Sequence, residues 1–239
     1  MPTRRNGPVS SNVRLHMDTP LVDEAFAKAK AIAAALEASL PVKVEANSLT
    51  LNSKIPFKAL SLREALIHRT SALASPAVAL FENRNPVAGI ILTRAIIETV
   101  AVTFALRREI ARFLNDKNVV AFNEFLNAGL VGSRWPNAET PARSVLTLID
   151  HVAKEFVGYR ETYDSLCEFA HPNWSGVLGA FGTIDHENHT LHLGPRDEPR
   201  ILIIGVTSLA MALGLFQYVY NDMIDSLHAL DFHFEEHRE

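Results

Sequence analysis

The sequence predicts an all-α fold, a helical bundle of about seven helices with one small β-hairpin. Three observations predict it. Residues 86–108 are apolar on nearly every side, as expected of a helix at the centre of a bundle. Segments with helical spacing, bounded by proline, glycine and capping residues, recur along the chain. The clearest strand signal is a short one, near residues 181–193.

Residues 1–17 are polar and show no hydrophobic period, which predicts a flexible N-terminal arm before a single helical domain at residues 18–239. Apolar periodicity and stop signals predict helices at residues 21–40, 57–74, 86–108 with an extension to 114, 118–130, 142–156, 160–170 and from Pro199 to about 234. Pro76 is expected to open a further turn or two up to residue 83.

The connections carry weaker signals than the helices. Residues 42–54 alternate enough for a short strand, but a loop fits them equally well. Prolines and polar residues predict an exposed loop at residues 133–143. Residues 181–185 and 190–193 predict a hairpin that turns at Glu187 and Asn188, an insertion near residues 181–194.

Residues 201–221 carry no formal charge and are long enough to cross a bilayer. Glycine, hydroxyl and amide residues dilute this segment, and the helical pattern continues beyond it. We therefore expect a buried bundle helix and no contact with a membrane. The single cysteine, Cys167, cannot form an internal disulfide, and no apolar core follows the first arginines. Both features favour the cytoplasm.

The central helix contains one pair of opposite charges, Arg94 and Glu98, four residues apart and hence on one helical face. A charge among apolar residues is costly unless it is paired and hydrogen-bonded. The pair can be structural, fixing how the helices register. Alternatively, Arg94 is a fixed donor for a phosphate or carboxylate, and Glu98 orients it or a nearby histidine.

The segment YDSLCEFAHPNW, residues 163–174, resembles a functional site more than any other stretch. His171 follows a helix, at an end where the dipole favours a cation. Asn173 and Trp174 then lie in a loop, which can bring polar and aromatic groups over a cavity. The structural interpretation is that His171 caps the helix and Trp174 is part of the core.

The economical hypothesis joins the two segments at one end of the bundle. In it, His171, Arg94 and Glu98 are the candidate catalytic residues: His171 is the general acid or base, Arg94 stabilises phosphate charge, and Glu98 orients either one. The candidate ligand-binding residues are Tyr163, Asn173 and Trp174.

No metal and no cofactor are expected. His186, His189 and His192 lie three apart, but in a hairpin His192 would point away from the other two. The sequence has no phosphate-binding glycine loop. Cys167 falls inside a helical pattern whose nearest histidine lies on the same helix, which argues against a cysteine nucleophile.

The central LTRAIIETVAVTF and the later YDSLCEFAHPNW together resemble an uncharacterised family of bacterial all-helical proteins, over roughly residues 57–195. The chain is also distantly similar to HEPN-type helical bundles, many of them metal-independent ribonucleases of toxin and defence systems. Their signature is an arginine followed after four to six residues by a histidine. Arg63 and His68 fit that spacing, whereas Arg160 and His171 do not.

Two functions follow as hypotheses. The first is a non-catalytic module whose internal Arg/Glu/His polar site accompanies binding of a protein or a small anionic ligand. The second is an HEPN-like, metal-independent ribonuclease or effector. The net charge of −4 does not indicate RNA and favours the first. A homodimer is the expected assembly, with the apolar face of residues 21–40 as one candidate surface.

Overall fold

The computed structural model describes residues 20–196 and 198–237, and the N-terminal arm predicted at residues 1–17 lies outside them. Along this part of the chain the elements are α1 Pro20–Ala38, a 3-10 turn Ala46–Ser48, α2 Ile55–Glu82, α3 Pro86–Asp116, α4 Val119–Leu130, α5 Val145–Ala153, α6 Tyr159–Ala170, α7 Leu178–Phe181, β1 Gly182–Asp185, β2 Thr190–Leu193, α8 Pro199–Asp222 and α9 Ile224–Glu236. The prediction of an all-α bundle with one small hairpin is confirmed.

The central helix is α3, which packs against α2, α8, α6 and α5. Its start is fixed by Asn85, whose side chain accepts a hydrogen bond from the Ala88 amide, and by Pro86 in the first turn. It ends at Lys117, which adopts the left-handed conformation with φ of 54°. Because neighbours cover α3 on several sides, its apolar residues are buried around the helix, as the sequence predicts.

The first helix buries its apolar face inside the molecule. Val22, Phe26 and Ile32 are buried, and α1 packs against α8 and α2. The face of residues 21–40 that was expected to be available for a dimer contact is therefore largely covered within one chain. Leu21 remains 76% exposed at the beginning of the helix.

Two helix boundaries differ from the predicted ones. Helix α2 runs through Pro76 without a break, because Ala77, Val78 and Phe81 after the proline are buried in the same core as the residues before it. The predicted C-terminal helix is instead two helices separated at Met223. That break follows Asn221 and Asp222, whose short polar side chains compete with helical backbone bonds.

The hairpin lies on the surface beside the beginning of α8. Its strands are antiparallel, with Gly182 opposite Leu193 and Ile184 opposite Leu191. The chain after β2 is tied back to α7, since the Gly194 amide donates to the Phe181 carbonyl at 2.9 Å. All four residues of β2 are exposed, so the second strand has little cover from the bundle.

Two helical stretches are long and apolar enough to cross a membrane by length and composition, namely α3 and residues Pro199–Glu236. In each, 56% of the most apolar window is buried inside the molecule. The core helices of water-soluble bundles share this property, because their neighbours supply the apolar surroundings.

Candidate functional site

Arg94 and Glu98 lie on one face of α3, where two side chains of α6 join them. Arg94 Nη2 lies 3.1 Å from Glu98 Oε1 and donates a hydrogen bond to the Tyr163 hydroxyl at 2.9 Å. The Tyr163 hydroxyl in turn donates to Glu98 Oε1 at 3.0 Å. Arg94 Nε donates to Cys167 Sγ at 3.2 Å. We call these four residues the Arg94 cluster. It links α3 to α6 through side chains alone.

The spacing along α6 explains why Tyr163 and Cys167 act together. They are four residues apart, so one face of α6 presents both to α3. The same helix begins with Tyr159, which is buried and donates its hydroxyl to the Ile97 carbonyl at 2.7 Å. Three residues at successive turns of α6 thus hold it against the central helix.

The electrostatics of the Arg94 cluster keep its tyrosine neutral. Burial raises the pKa of Tyr163 to about 12, and the Glu98 charge acts in the same direction, while the hydrogen bond from Arg94 opposes it. A neutral phenol can donate a hydrogen bond to Glu98 and accept one from Arg94 at the same time. Tyr163 is therefore a bridge in the network at neutral pH.

The Arg94 cluster is closed rather than open toward a reacting group. Both side chains of the ion pair are partly shielded from solvent, with exposed fractions of 30% for Arg94 and 26% for Glu98. Two of the three guanidinium nitrogens are engaged by α3 and α6 partners. Such an arrangement fixes the guanidinium in place, which suits a structural link between two helices.

His171 does not join the Arg94 cluster. Its backbone amide caps α6 by donating to the Cys167 carbonyl, and its side chain is exposed. Among the described residues, the imidazole has no hydrogen bond or ion pair. The predicted triad of His171, Arg94 and Glu98 is thus assembled only in its Arg94–Glu98 half.

Asn173 shapes the loop after α6. Its amide nitrogen donates to Glu168 at 2.9 Å, and its carbonyl oxygen accepts from the Gly176 amide at 3.1 Å. These local bonds are those of a capping turn, and they direct the chain so that Trp174 points outward. The Trp174 side chain is 71% exposed, so it is not the core residue of the structural interpretation.

Beside Trp174 lies a cavity of about 230 Å³ between the α6–α7 loop and the start of α8, which we call the Trp174 cavity. Phe169, Ile201 and Ile204 give it apolar walls. Its charged residues are Arg196, Glu198 and Arg200. They lie at the start of α8, where the helix dipole places partial positive charge.

The two arginines of the Trp174 cavity differ in their engagement. Arg196 donates to the Gly179 carbonyl at 3.0 Å and lies 2.9 Å from Glu198, so its charge is largely satisfied. Arg200 is exposed and has no hydrogen-bond or ion-pair partner among the described residues. It is the cation that remains available to a ligand.

A buried polar cluster on α2 was missed by the sequence-based analysis. Arg63 and Glu64 are each 8% exposed and form an ion pair. The Tyr220 hydroxyl donates to Glu64, and Arg63 donates to the Tyr220 carbonyl at 3.1 Å. The signal was present, since Arg63 lies four residues from both Ala59 and Ile67 and hence on the buried stripe of α2.

This cluster also determines the geometry of the pair that fits the HEPN spacing. Arg63 points into the core, and its guanidinium lies 3.6 Å from the Tyr220 ring centroid. His68 is exposed, with Nε2 at 2.7 Å from the Pro41 carbonyl oxygen. Because the two residues are five apart on a helix, their side chains point in directions that differ by more than a third of a turn. Arg63 and His68 therefore share no site.

A third cluster follows at the end of α3. Glu109 is 3% exposed and lies between Arg108 and Arg112, at 3.5 and 2.6 Å. His151 of α5 is close to it, and its buried Nδ1 has no hydrogen-bond partner among the described residues. Burial lowers the pKa of His151, and the charges of Arg108 and Lys154 lower it further.

Within residues 20–196 and 198–237, no group of three or more histidine, cysteine or acidic side chains is placed to hold a metal ion. In the hairpin, His192 pairs across from Thr183. His186 and His189 both belong to the turn.

No family model, no curated protein and no solved structure matches this chain. Its function is therefore inferred from the arrangement of its own residues.

Proposed function

We propose that this chain is a non-catalytic, cytoplasmic module that binds a small anionic ligand in the Trp174 cavity. The observation that carries the proposal is an exposed indole on the wall of the same cavity as a guanidinium that has no partner within residues 20–196 and 198–237. Cavities that bind small molecules combine apolar and aromatic walls with a few polar groups that orient the ligand. Trp174 and Arg200 supply one of each.

The ligand class follows from this lining. Trp174 and Phe169 offer flat surfaces for a planar group, and Ile201 and Ile204 offer apolar contact. Arg200 favours a carboxylate or phosphate, the groups that a guanidinium binds in a fork. A cavity of about 230 Å³ suits a small metabolite with a planar part and one anionic group.

A catalytic role has less support from the same geometry. A general acid or base must lie within hydrogen-bond reach of the group it serves, together with the residue that stabilises charge. Arg94 is engaged by α3 and α6, while the His171 imidazole is exposed and has no bond to that cluster. The net charge of −4 likewise gives no general attraction to RNA.

The test uses the fluorescence of Trp174. The chain contains two tryptophans, so Trp135→Phe leaves Trp174 as its single indole. This variant is titrated with a panel of nucleoside monophosphates and aromatic carboxylates. A ligand that binds the cavity quenches or shifts the emission of Trp174 and saturates. Adding Arg200→Gln should weaken its binding by roughly 10- to 100-fold, the loss expected for a charge-assisted hydrogen bond.

The matched control is Arg134→Gln, which removes an exposed arginine from the loop after α4 and should leave the titration unchanged. The proposal is overturned if no member of the panel saturates, or if Arg200→Gln and Arg134→Gln bind alike. RNA cleavage without metal by the wild type, lost in a folded His171→Ala variant, would instead support the ribonuclease hypothesis.

A further inference from the structure

The hairpin exposes an unusually apolar face. Alternation along the strands places Ile184, Leu191 and Leu193 on the same side, with exposures of 63%, 48% and 74%. Leu178 and Trp174 continue this surface from α7 and the loop before it, since both line one groove with Ile184 and Leu191. We call these five residues the hairpin face.

The size of the hairpin face is notable for a monomer. Its five residues together expose on the order of 600 Å², at the upper end of the largest apolar patch that a typical monomer carries. A two-stranded sheet is also only marginally stable in water without further packing. The exposed β2 strand gains little of that packing from its own bundle.

We propose that the hairpin face is the homodimer interface of this protein, covered by a second copy of the same chain. Complete coverage of two such faces buries about 1,200 Å², and the polar rim adds to this, which reaches the range of specific interfaces. The five residues of the face carry no charge, and Arg196, which also lines their groove, is paired with Glu198 at 2.9 Å. A two-fold interface brings the same patch of both subunits together, so that a charge near its centre would face an identical charge. An uncharged centre avoids this repulsion.

The face carries both a groove and an exposed leucine beside it, the two features that a self-complementary interface requires. The groove lined by Trp174, Leu178, Ile184 and Leu191 has a volume of about 280 Å³. Leu193 stands beside this groove on the same side of the sheet and is the most exposed residue of the three strand positions. In a two-fold dimer, Leu193 of each copy enters the groove of the other, and both contacts form at once.

This surface replaces the α1 face as the candidate for dimerisation. The apolar residues of α1 are buried within the chain, whereas those of the hairpin face are not. Trp174 lines both the Trp174 cavity and the groove of the hairpin face, so the two proposals share this one side chain of the face. Ile184, Leu191 and Leu193 lie outside the lining of the Trp174 cavity, so variants at these positions test the dimer separately.

The experiment is sedimentation velocity of the full chain over about 1 to 100 μM. The wild type is expected to sediment as a dimer at the upper concentrations. Leu193→Asp and Ile184→Asp each bury a charge in the apolar centre of the interface and should yield monomers, while Leu193→Met should keep the dimer. Because both positions are well exposed, the aspartates leave the fold of the monomer intact, which circular dichroism checks.

The matched control is Leu51→Asp, since Leu51 is 77% exposed and lies in the loop before α2, away from the hairpin. It should leave the dimer unchanged. A wild type that stays monomeric throughout overturns the proposal, even if it binds another protein or lipid vesicles. So does a dimer that survives both aspartates, or one that Leu51→Asp also dissociates.

Discussion

At the scale of single residues, the geometry separates charges that stabilise the fold from charges that can meet a ligand. Arg94 is held by Glu98, Tyr163 and Cys167 at distances of 2.9 to 3.2 Å. Arg200 has no partner among the described residues. The sequence alone does not distinguish the two arginines, because whether a guanidinium is satisfied depends on side chains that lie far away along the chain.

Removing the Arg94 side chain should therefore destabilise the protein. Arg94→Ala deletes the hydrogen bonds to Tyr163 and Cys167 and leaves Glu98, which is 26% exposed, without its cation. We expect the free energy of unfolding to fall by about 1–3 kcal/mol. Urea denaturation measures the change. Lys43→Ala breaks the exposed Lys43–Glu45 pair and should cost at most about 0.5 kcal/mol. Equal losses would argue against a structural role for the Arg94 cluster.

His151 should make stability depend on pH. Its pKa is lowered in the folded protein by burial and by Arg108 and Lys154, whereas Asp150 and Glu109 act in the opposite direction. The unfolded chain therefore takes up the proton first as the pH falls. The stability from the neutral imidazole is fully present above a pH of about 6.5 and is lost as the pH falls through the unfolded pKa toward the lower folded one.

His151→Gln removes this loss. Between a pH of about 7.5 and 5.5, the free energy of unfolding should fall less in the variant than in the wild type. Denaturant titrations at several pH values measure both slopes. His171→Gln, which changes an exposed imidazole, should keep the slope of the wild type. If His151→Gln also keeps it, the imidazole is not buried in its neutral form.

At the scale of elements, local signals predicted the helices well and their interruptions poorly. Asn85 with Pro86, and Pro199, mark helix starts by chemistry that acts within one turn. Pro76 gave a wrong prediction of a helix boundary. Helix α2 continues through it because Ala77, Val78 and Phe81 are buried in the core. The break at Met223 likewise depends on how α9 packs against α3 and α2, which a local pattern does not contain.

The position of Pro76 leads to a prediction about α2. A proline inside a helix removes a backbone hydrogen bond, here to the Ala72 carbonyl, and Pro76 is exposed. Pro76→Ala should restore that bond and raise the free energy of unfolding by about 1 kcal/mol or more. Pro86→Ala is the control, because a proline in the first turn lacks only a donor that has no helical partner. It should lower stability by up to about 1 kcal/mol.

Thermal and urea unfolding of both variants check this pair. A loss of stability in Pro76→Ala would mean that the backbone geometry imposed by the proline is itself required for the buried contacts of Val78 and Phe81.

At the scale of the whole molecule, the sequence predicted which segments would meet but not what they would build. It grouped Arg94 and Glu98 with residues 163–174, and of that segment Tyr163 contacts the pair. It could not place His171 outside, because the direction of a side chain at a helix end is set by the loop bonds of Asn173. The Trp174 cavity was equally hidden, since it depends on how the start of α8 packs beside the loop between α6 and α7, which a local pattern does not contain.

The three longest helices meet at one point, and that point should govern the stability of the bundle. The Phe81 ring of α2 is fully buried between Gly89 of α3 and Gly205 of α8. A Cβ at Gly205 would lie 2.4 Å from the ring, and one at Gly89 would lie 2.8 Å from it. Glycine therefore allows the approach of α2, α3 and α8, and larger residues would force them apart.

Gly205→Ala should accordingly lower the free energy of unfolding by about 1–3 kcal/mol, the usual cost of overpacking a core. Gly214→Ala on the same helix is the control, because its Cβ would meet nothing closer than Lys28 at 3.9 Å. That variant should gain up to about 1 kcal/mol from helix propensity. In a double-mutant cycle, Phe81→Leu should cost less in the Gly205→Ala background than in the wild type, since the smaller side chain makes room for the added methyl group. If the two glycine variants unfold alike, or if the Phe81 and Gly205 effects simply add, close contact at the ring does not set the spacing of the three helices.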